Sequence, residues 1–269
     1  LNVEKVIGTS FADQFTANIA GVTLEGGMGD DAYTINSTGV SIVETDLFGG
    51  IDHVYTSLSS LHMDPFIEKM TYTGTADFTG YGNDGDNVIV SGAGNDVLFG
   101  GAGGDRFEGG AGVDTVSYED STEGLSVSLG WGPQSGIALY DTYIDIENLR
   151  GSHFNDVLQG DWGDNILEGG AGDDFIQGGA GADILYGGLA SGLDGEAPQN
   201  DTLIGGDGDD TYVVNAPGLV SIQDMASSYN DTLIMNTIAN LGQLSVTRVG
   251  DDAYLHGAND GSSGVPANG

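Results

Sequence analysis

Residues 82–117 read as four consecutive nine-residue units: GNDGDNVIV from Gly82, SGAGNDVLF from Ser91, GGAGGDRFE from Gly100 and GGAGVDTVS from Gly109. Position six of each is Asp or Asn, and position eight is apolar. A fixed short period marks a solenoid, because one such unit cannot bury its apolar side alone and must stack on its neighbours. Six turn residues followed by three strand residues point position eight inward, since strand side chains alternate between faces. Glycines at positions one, two and four suit left-handed turns and close backbone approach.

The same unit recurs on both sides of this stretch. Upstream it runs in register from Gly8, Ala17 and Gly26, although Val22 takes the place of the acid in the second of these. Downstream it runs from Gly151, Gly160, Gly169 and Gly178, passes through a disturbed unit, and resumes at Gly205. The inward residues are then Phe15, Leu24 and Tyr33; Ile89, Leu98, Phe107 and Val116; and Leu158, Leu167, Ile176, Leu185, Leu203 and Tyr212. In the disturbed stretch 187–204, two regular rungs would turn Asp194 into the core, where a charge is costly. One rung with an excursion at 190–199 instead keeps Leu203 inward and Asp201 at the acidic position.

The blocks at 8–34, 82–117 and 151–213 are out of phase with one another. Similar tetrads precede them, at Val3–Val6, Ile67–Met70 and Ile146–Leu149. Two blocks close alike, as GDDAYTIN at 29–36 and GDDTYVVN at 208–215. Both continue into Ser41–Glu44 or Ser221–Asp224 and then Asp52–Val54 or Asp231–Leu233. The expected fold is therefore all-β: a parallel β-roll (β-helix) solenoid in three arrays joined by β-rich capping segments. The corresponding divisions are 1–66, 67–145 and 146–269, with the joints covering sheet edges that would otherwise be sticky.

Composition narrows the chemistry. The chain carries 41 acids against 5 bases, a net charge of −36, which argues against nucleic acid and anionic membranes as partners. Disorder is the other home of such charge, but 39% of residues are hydrophobic and they recur in phase. Glycine is abundant without a G-X-Y period, so collagen is excluded. The absence of cysteine removes disulfides, zinc ribbons and thiol catalysis. No apolar run is long enough to span a bilayer. The opening LNVEKVIGTS lacks the basic-then-apolar pattern of a signal peptide, and the first residue is not Met, as in a piece of a longer chain.

Two nonamers make one coil, so turns of units two apart stack at about 4.8 Å. Position six then stacks Asp13 with Asp31, Asn87 with Asp105, and Asp96 with Asp114. Further along it stacks Asp156 with Asp174, Asn165 with Asp183, Asp174 with Asp201, and Asp183 with Asp210. Two carboxylates about 5 Å apart repel by roughly 3 kcal/mol at an effective dielectric of about 20. Files of such pairs call for cations between them, and metal binding then becomes part of folding. Oxygen donors without thiols suit calcium, whereas magnesium demands near-octahedral geometry.

The stretches GGAGDDFIQGGAGADILYGG, IENLRGSHFNDVLQGDWGDNILEGG and GDDTYVVN resemble the repeats-in-toxin (RTX) family of secreted bacterial proteins. The resemblance covers all three blocks and the joints. It implies several calcium ions, held by the position-six residues named above. It also implies that turn carbonyls complete the shell: those at Gly100, Gly101, Gly103, Gly109, Gly110, Gly112, Gly169, Gly170, Gly172, Gly178, Gly179, Gly181, Gly205, Gly206 and Gly208. It further implies export by the type I secretion machinery and folding outside the cell or at its surface, where calcium approaches the affinities typical of extracellular modules, about 10⁻⁴ to 10⁻³ M. The family's secretion signal lies at the extreme C-terminus, whereas GANDGSSGVPANG, which ends this sequence, has no amphipathic or apolar finish.

No catalytic signature is present. His53, His62, His153 and His256 form no H-E-x-x-H, and Gly130–Ser135 does not make a nucleophile elbow. No catalytic residue and no organic cofactor is expected. Position seven, which should face outward, is often apolar: Val88, Val97, Val157, Ile166, Phe175 and Ile184. Residues 118–150 and the joints are expected to cover these faces. The alternative is a docking surface for a neighbouring domain, another copy or a glycan, with Trp131, Trp162 and Tyr186 either as sugar-stacking aromatics or as plugs of the joints. The leading expectation is a non-enzymatic calcium-binding module. A self-associating surface-layer or adhesin segment, and an accessory module of a polysaccharide-modifying enzyme or serralysin-type protease, stand beside it.

Overall fold

The computed structural model describes residues 3–44, 50–130, 132–188, 199–214, 220–224, 230–235, 245–248 and 253–257. Trp131, most of the excursion at 190–199 and the closing GANDGSSGVPANG, apart from Gly257, lie outside them. The chain forms two compact units, residues 1–116 with 137–146, and residues 117–136 with 147–269. Both are parallel β-solenoids. The single helical element among the described residues is a 3-10 turn at Gly136–Ala138.

In the first unit the chain alternates between two faces. One face is a parallel sheet of seven strands: Gln14–Ala17, Ala32–Ile35, His53–Thr56, Lys69–Tyr72, Val88–Ala93, Arg106–Ala111 and Thr142–Ile144. The other carries Lys5–Ile7, Thr23–Glu25 and Ser41–Val43, and then Ser60–His62, Thr79–Tyr81, Val97–Phe99 and Thr115–Ser117. In the second unit, Ser126–Ser128, Val157–Gln159, Phe175–Ala180, Thr202–Asp207, Ser221–Asp224 and Ser245–Arg248 form one face. Asn148–Arg150, Ile166–Glu168, Ile184–Tyr186, Thr211–Val214, Asp231–Met235 and Ala253–Gly257 form the other.

Within each unit, apolar side chains from both faces meet in the interior. Every inward residue read from the nonamer is buried, from Phe15 at 9% exposure to Ile89, Leu98, Phe107, Leu158 and Leu185 at 0%. Aromatic residues on successive coils stack flat, as Phe15 does on Tyr33 (5.1 Å between centroids) and Phe107 on Tyr143 (5.8 Å). One rung swaps its roles: the inward position is Gly80, and Phe78 at position six fills the core and stacks on Tyr72.

The linking segments do not interrupt the ladder. Lys69–Tyr72 pairs with His53–Thr56 on one side and Val88–Ala93 on the other, so the tetrad at 67–70 is itself part of a coil. Phase is lost in sequence because coil length varies; pairing is kept because it depends on the strand and not on the turn. Residues 118–150 also join edges instead of covering outward faces. Ser126–Ser128 pairs with Val157–Gln159, Thr142–Ile144 with Arg106–Glu108, and Asn148–Arg150 with Ile166–Glu168. Backbone N–H and C=O groups at an open edge draw these segments into the ladder. The expected cover is therefore missing at Val157 and Phe175, which stay 43% and 40% exposed.

On the described side of the excursion, the rung is set as the sequence indicates. Phe175 pairs with Thr202 and Ile176 with Leu203, so among the described residues the rung that stacks on Phe175–Ala180 carries Leu203 inward and Asp201 as its acid.

Candidate metal centres

The turns are stitched in two directions. At position six, one carboxylate oxygen accepts the backbone N–H of the equivalent residue on the preceding coil. Asp31 Oδ1 accepts from Asp13 (2.7 Å), Asp105 from Asn87 (2.8 Å), Asp114 from Asp96 (2.8 Å) and Asp174 from Asp156 (2.8 Å). Asp183 accepts from Asn165 (2.8 Å), Asp201 from Asp174 (3.1 Å) and Asp210 from Asp183 (3.0 Å). All seven stacked pairs expected from the spacing are brought together. At position five the bond runs the other way: Asp77, Asp86, Asn95 and Asp164 accept from Asn95, Gly104, Val113 and Ala182 on the following coil. This second ladder was not anticipated, although Asp or Asn at position five was visible in the sequence.

The glycines shape a narrow slot around the second carboxylate oxygen. Gly101 and Gly103 adopt φ of +92° and +125°, and turn the backbone around it. The glycine at position one is not left-handed; it is required by space. A Cβ on Gly100 would overlap Asp105 Oδ2, and Gly169 and Gly178 stand in the same relation to Asp174 and Asp183. Carbonyls from neighbouring coils line the same place: Gly100 O lies over Gly82, Gly94 O over Gly112, Gly178 O over Gly160 and Gly181 O over Gly208. The glycines at 109, 110, 170, 172, 179, 205 and 206 make the same close approaches.

Within these slots, Oδ2 of Asp31, Asp105, Asp174 and Asp183 is buried and accepts no hydrogen bond. Burial drives these carboxyls upward, Asp105 and Asp183 to about 7 and Asp174 to about 8, and neighbouring acids add to the effect. Asp31, Asp96 and Asp156 are raised for the same first reason. A buried charged oxygen without a partner is costly, and it takes either a proton or a cation. Carboxylate and carbonyl oxygens with no sulfur or nitrogen form a donor set for a hard cation, and the slots fit calcium.

The other expected residues differ in ways the sequence explains. Where position two is a hydroxyl residue, it serves the carboxylate directly: Thr9 N–H and Oγ1 reach Asp13 at 2.6 and 2.8 Å, and Ser152 N–H and Oγ reach Asp156 at 2.6 and 2.9 Å. Where position six is Asn, the amide bonds the coil before it. Asn87 Nδ2 donates to Ile67 O (3.1 Å), and Asn165 Nδ2 donates to Glu147 O (2.7 Å). Both Asn residues follow a tetrad that has no glycine turn. Val22 has no acid and is buried as a hydrophobe.

The columns also contain acids outside the nonamer. Asp52 accepts from Asp31 (2.8 Å), Glu68 from Asp52 (2.7 Å), Asp141 from Asp105 (2.7 Å) and Asp231 from Asp210 (2.9 Å). Asp52 and Asp231 head matching phrases in the sequence, which marked them. Asp141 lies 36 residues beyond Asp105, at position six of GIALYDTYI from Gly136, which keeps the ninefold phase of the block at 82–117 although its turn lacks the other glycines.

Of the expected stacking aromatics, Trp162 is 83% exposed and Tyr186 is half-buried. No described helix is long and apolar enough to cross a membrane. No curated protein matches the chain. The family profile of the RTX calcium-binding nonapeptide repeat matches at residues 81–116, 144–176, 159–191 and 198–216. These spans contain the slots at Asp105, Asp174 and Asp183, so the chain carries RTX calcium-binding nonapeptide repeats, wound as a parallel β-solenoid.

Proposed function

We propose that this chain is a module that folds when it binds calcium outside the cell, as the non-catalytic part of a secreted bacterial protein. The observation that carries the proposal is the file of buried, unpartnered Oδ2 atoms at Asp31, Asp105, Asp174 and Asp183. Asp96, Asp114, Asp201 and Asp210 stand in the same columns, and the carbonyls of the glycine turns face the same slots. Calcium bound there supplies positive charge to oxygens that otherwise repel. The chain's own part is to hold those oxygens in file and to keep water out.

Arrays at 8–34, 82–117 and 151–213 hold separate sets of ions in this proposal. Export through the type I route follows from the family to which the repeats belong, and the acidic, cysteine-free chain suits a protein held together by an extracellular cation. The test is circular dichroism of the chain titrated with calcium, with magnesium in parallel. The expected result is a cooperative gain of β-structure with calcium at millimolar levels or below, and little with magnesium. A chain fully β-structured in excess chelator at neutral pH would refute it.

A further inference from the structure

Where the first block ends, the nonamer gives way to different chemistry. Gly26 opens the turn whose acid is Asp31. Strand pairing sets Glu25 opposite Val43, so the residue opposite Gly26 is Glu44, where a regular coil would present another glycine. Asp31, Glu44 and Asp52 each contribute a carboxylate oxygen to a group whose atoms all lie within 4.8 Å of one another, and all three residues are buried. A Cβ on Gly26 would overlap Asp31 Oδ2, Glu44 Oε1 and Tyr33 Oη together, so these oxygens converge on one point.

Most of the other polar atoms are already engaged. Tyr33 Oη–H donates to Glu44 Oε1, the Gly27 N–H donates to Glu44 Oε2 (3.1 Å), and the Asp31 N–H donates to Asp52 Oδ1 (2.8 Å). Asp31 Oδ2 is left: its residue is 1% exposed and it accepts no hydrogen bond, yet it points into the cluster. No lysine or arginine is bonded to any of the three acids among the described residues.

We propose that Asp31, Glu44 and Asp52 form a divalent-cation site of a different kind, which closes the array with side-chain carboxylates where Glu44 replaces the glycine at the head of the turn. Two oxygens on one calcium ion lie at most about 5 Å apart, given Ca–O distances of about 2.3–2.6 Å, and the cluster is within that span. The site shares Asp31 with the proposed function and extends it, but its cation is held by three charged groups, not by turn carbonyls. Ligand charge raises calcium affinity, so this site fills before the glycine slots.

The phrase that begins GDDAY here returns as GDDTY at the end of the last block, in the second unit. Asp210, Tyr212 and Asp231 take the places of Asp31, Tyr33 and Asp52: the Asp210 N–H donates to Asp231 Oδ1 (2.9 Å), and a Cβ on Gly205 would overlap Asp210 Oδ2 and Tyr212 Oη. Ile204 pairs with Gln223, which sets Asp224 opposite Gly205, as Glu44 is opposite Gly26. The repeated phrase thus carries the same Asp–Tyr–Asp arrangement in both units.

The experiment counts ions and measures affinity on the whole chain, with native mass spectrometry and calcium titration calorimetry, for wild type, Glu44→Gln, Glu44→Asp and Glu108→Gln. Glu44→Gln keeps the shape and the acceptor for Tyr33, and is expected to lose one calcium per chain together with the tightest binding phase, weakened at least about tenfold. Glu44→Asp, which copies Asp224, is expected to restore the ion in part, and Glu108→Gln to change nothing. Circular dichroism on the same samples separates the two proposals. If calcium folds both wild type and Glu44→Gln with unchanged ion count and affinity, the closing site is refuted and the folding proposal stands. If wild type binds no calcium-dependent structure but Glu44→Gln still loses an ion, the folding proposal fails and the closing site stands.

Discussion

Replacing Asp174 with Asn should move the chain in opposite directions with and without calcium. The Asp174 carboxyl is 2% exposed, accepts the Asp156 N–H through Oδ1 at 2.8 Å, and leaves Oδ2 without a partner. Burial first, and then the charges of Asp156, Asp201 and Asp173, raise it from 3.8 to about 8. At pH 7 an unfolded chain ionises this group while a calcium-free folded chain must keep the proton. The gap of about 3 pH units, at about 1.4 kcal/mol each, opposes folding by roughly 4 kcal/mol. Asn keeps the acceptor for Asp156 and removes the charge, at the cost of an unpaired amide N–H worth about 1–3 kcal/mol. The calcium-free fold should gain about 1–3 kcal/mol. With calcium an anionic ligand is gone, and the midpoint for folding should rise by roughly tenfold. Both are read by circular dichroism: trimethylamine N-oxide titrations in chelator, where the midpoint should fall, and calcium titrations, where it should rise. Shifts in the same direction in both series would mean that Asp174 is only a hydrogen-bond acceptor, and the electrostatic account would be wrong.

Acidity should act as a partial substitute for the metal. Asp52, Asp105 and Asp183 are raised to about 7 and Asp174 to about 8, so the folded chain holds protons that the unfolded chain has released above about pH 4. Calcium-free stability should therefore be greatest below about pH 4 and be lost progressively up to about pH 8, as ellipticity in chelator across that range will show. The calcium midpoint should rise as pH falls through the same interval, because protons compete for the oxygens. Leu185→Ala, at a site with 0% exposure, should cost about 2–5 kcal/mol in urea unfolding at saturating calcium. Gly103→Ala should cost about 1–3 kcal/mol or more, since φ there is +125° and a Cβ would lie 2.7 Å from Gly85 O. Gly163→Ala, whose Cβ would meet nothing closer than 3.5 Å, should stay within about 0.5 kcal/mol of wild type in the same assay.

The regular rungs were readable from sequence because two constraints repeat together: an apolar residue inward and an acid two places before it. That pairing also resolved the disturbed stretch, since Asp201 and Leu203 satisfy both and Asp194 satisfies neither. It failed at the joints. Lys69–Tyr72 and Asn148–Arg150 are strands of the ladder, but the turns before them have other lengths, and a count of nine cannot follow a column across them. Glu44 escapes assignment for the same reason, and Asp52 is marked only as the head of a repeated phrase. Their place is set by pairing with Gly26 and Asp31 across a coil, which is a property of the folded chain. The position-five ladder was overlooked for a different cause: short polar side chains in a glycine-rich turn read equally well as solvated loop residues. Outward residues such as Phe175 stay open because the backbone of 118–150, in place of covering them, completes sheet edges, a pairing that hydrophobic pattern alone does not signal.

The acid column keeps its hydrogen bonds across separations of 16, 18, 21, 27 and 36 residues. What has to be conserved along the chain is thus the pairing of rungs, and the number of residues between them is free. Extra residues between rungs leave the hydrogen bonds of the acids in place. A solenoid of this kind tolerates changes of length that would shift the register of an ordinary sheet. A foreign peptide spliced into the coil between Asp174 and Asp201 should therefore be displayed without disturbing the acids above and below it.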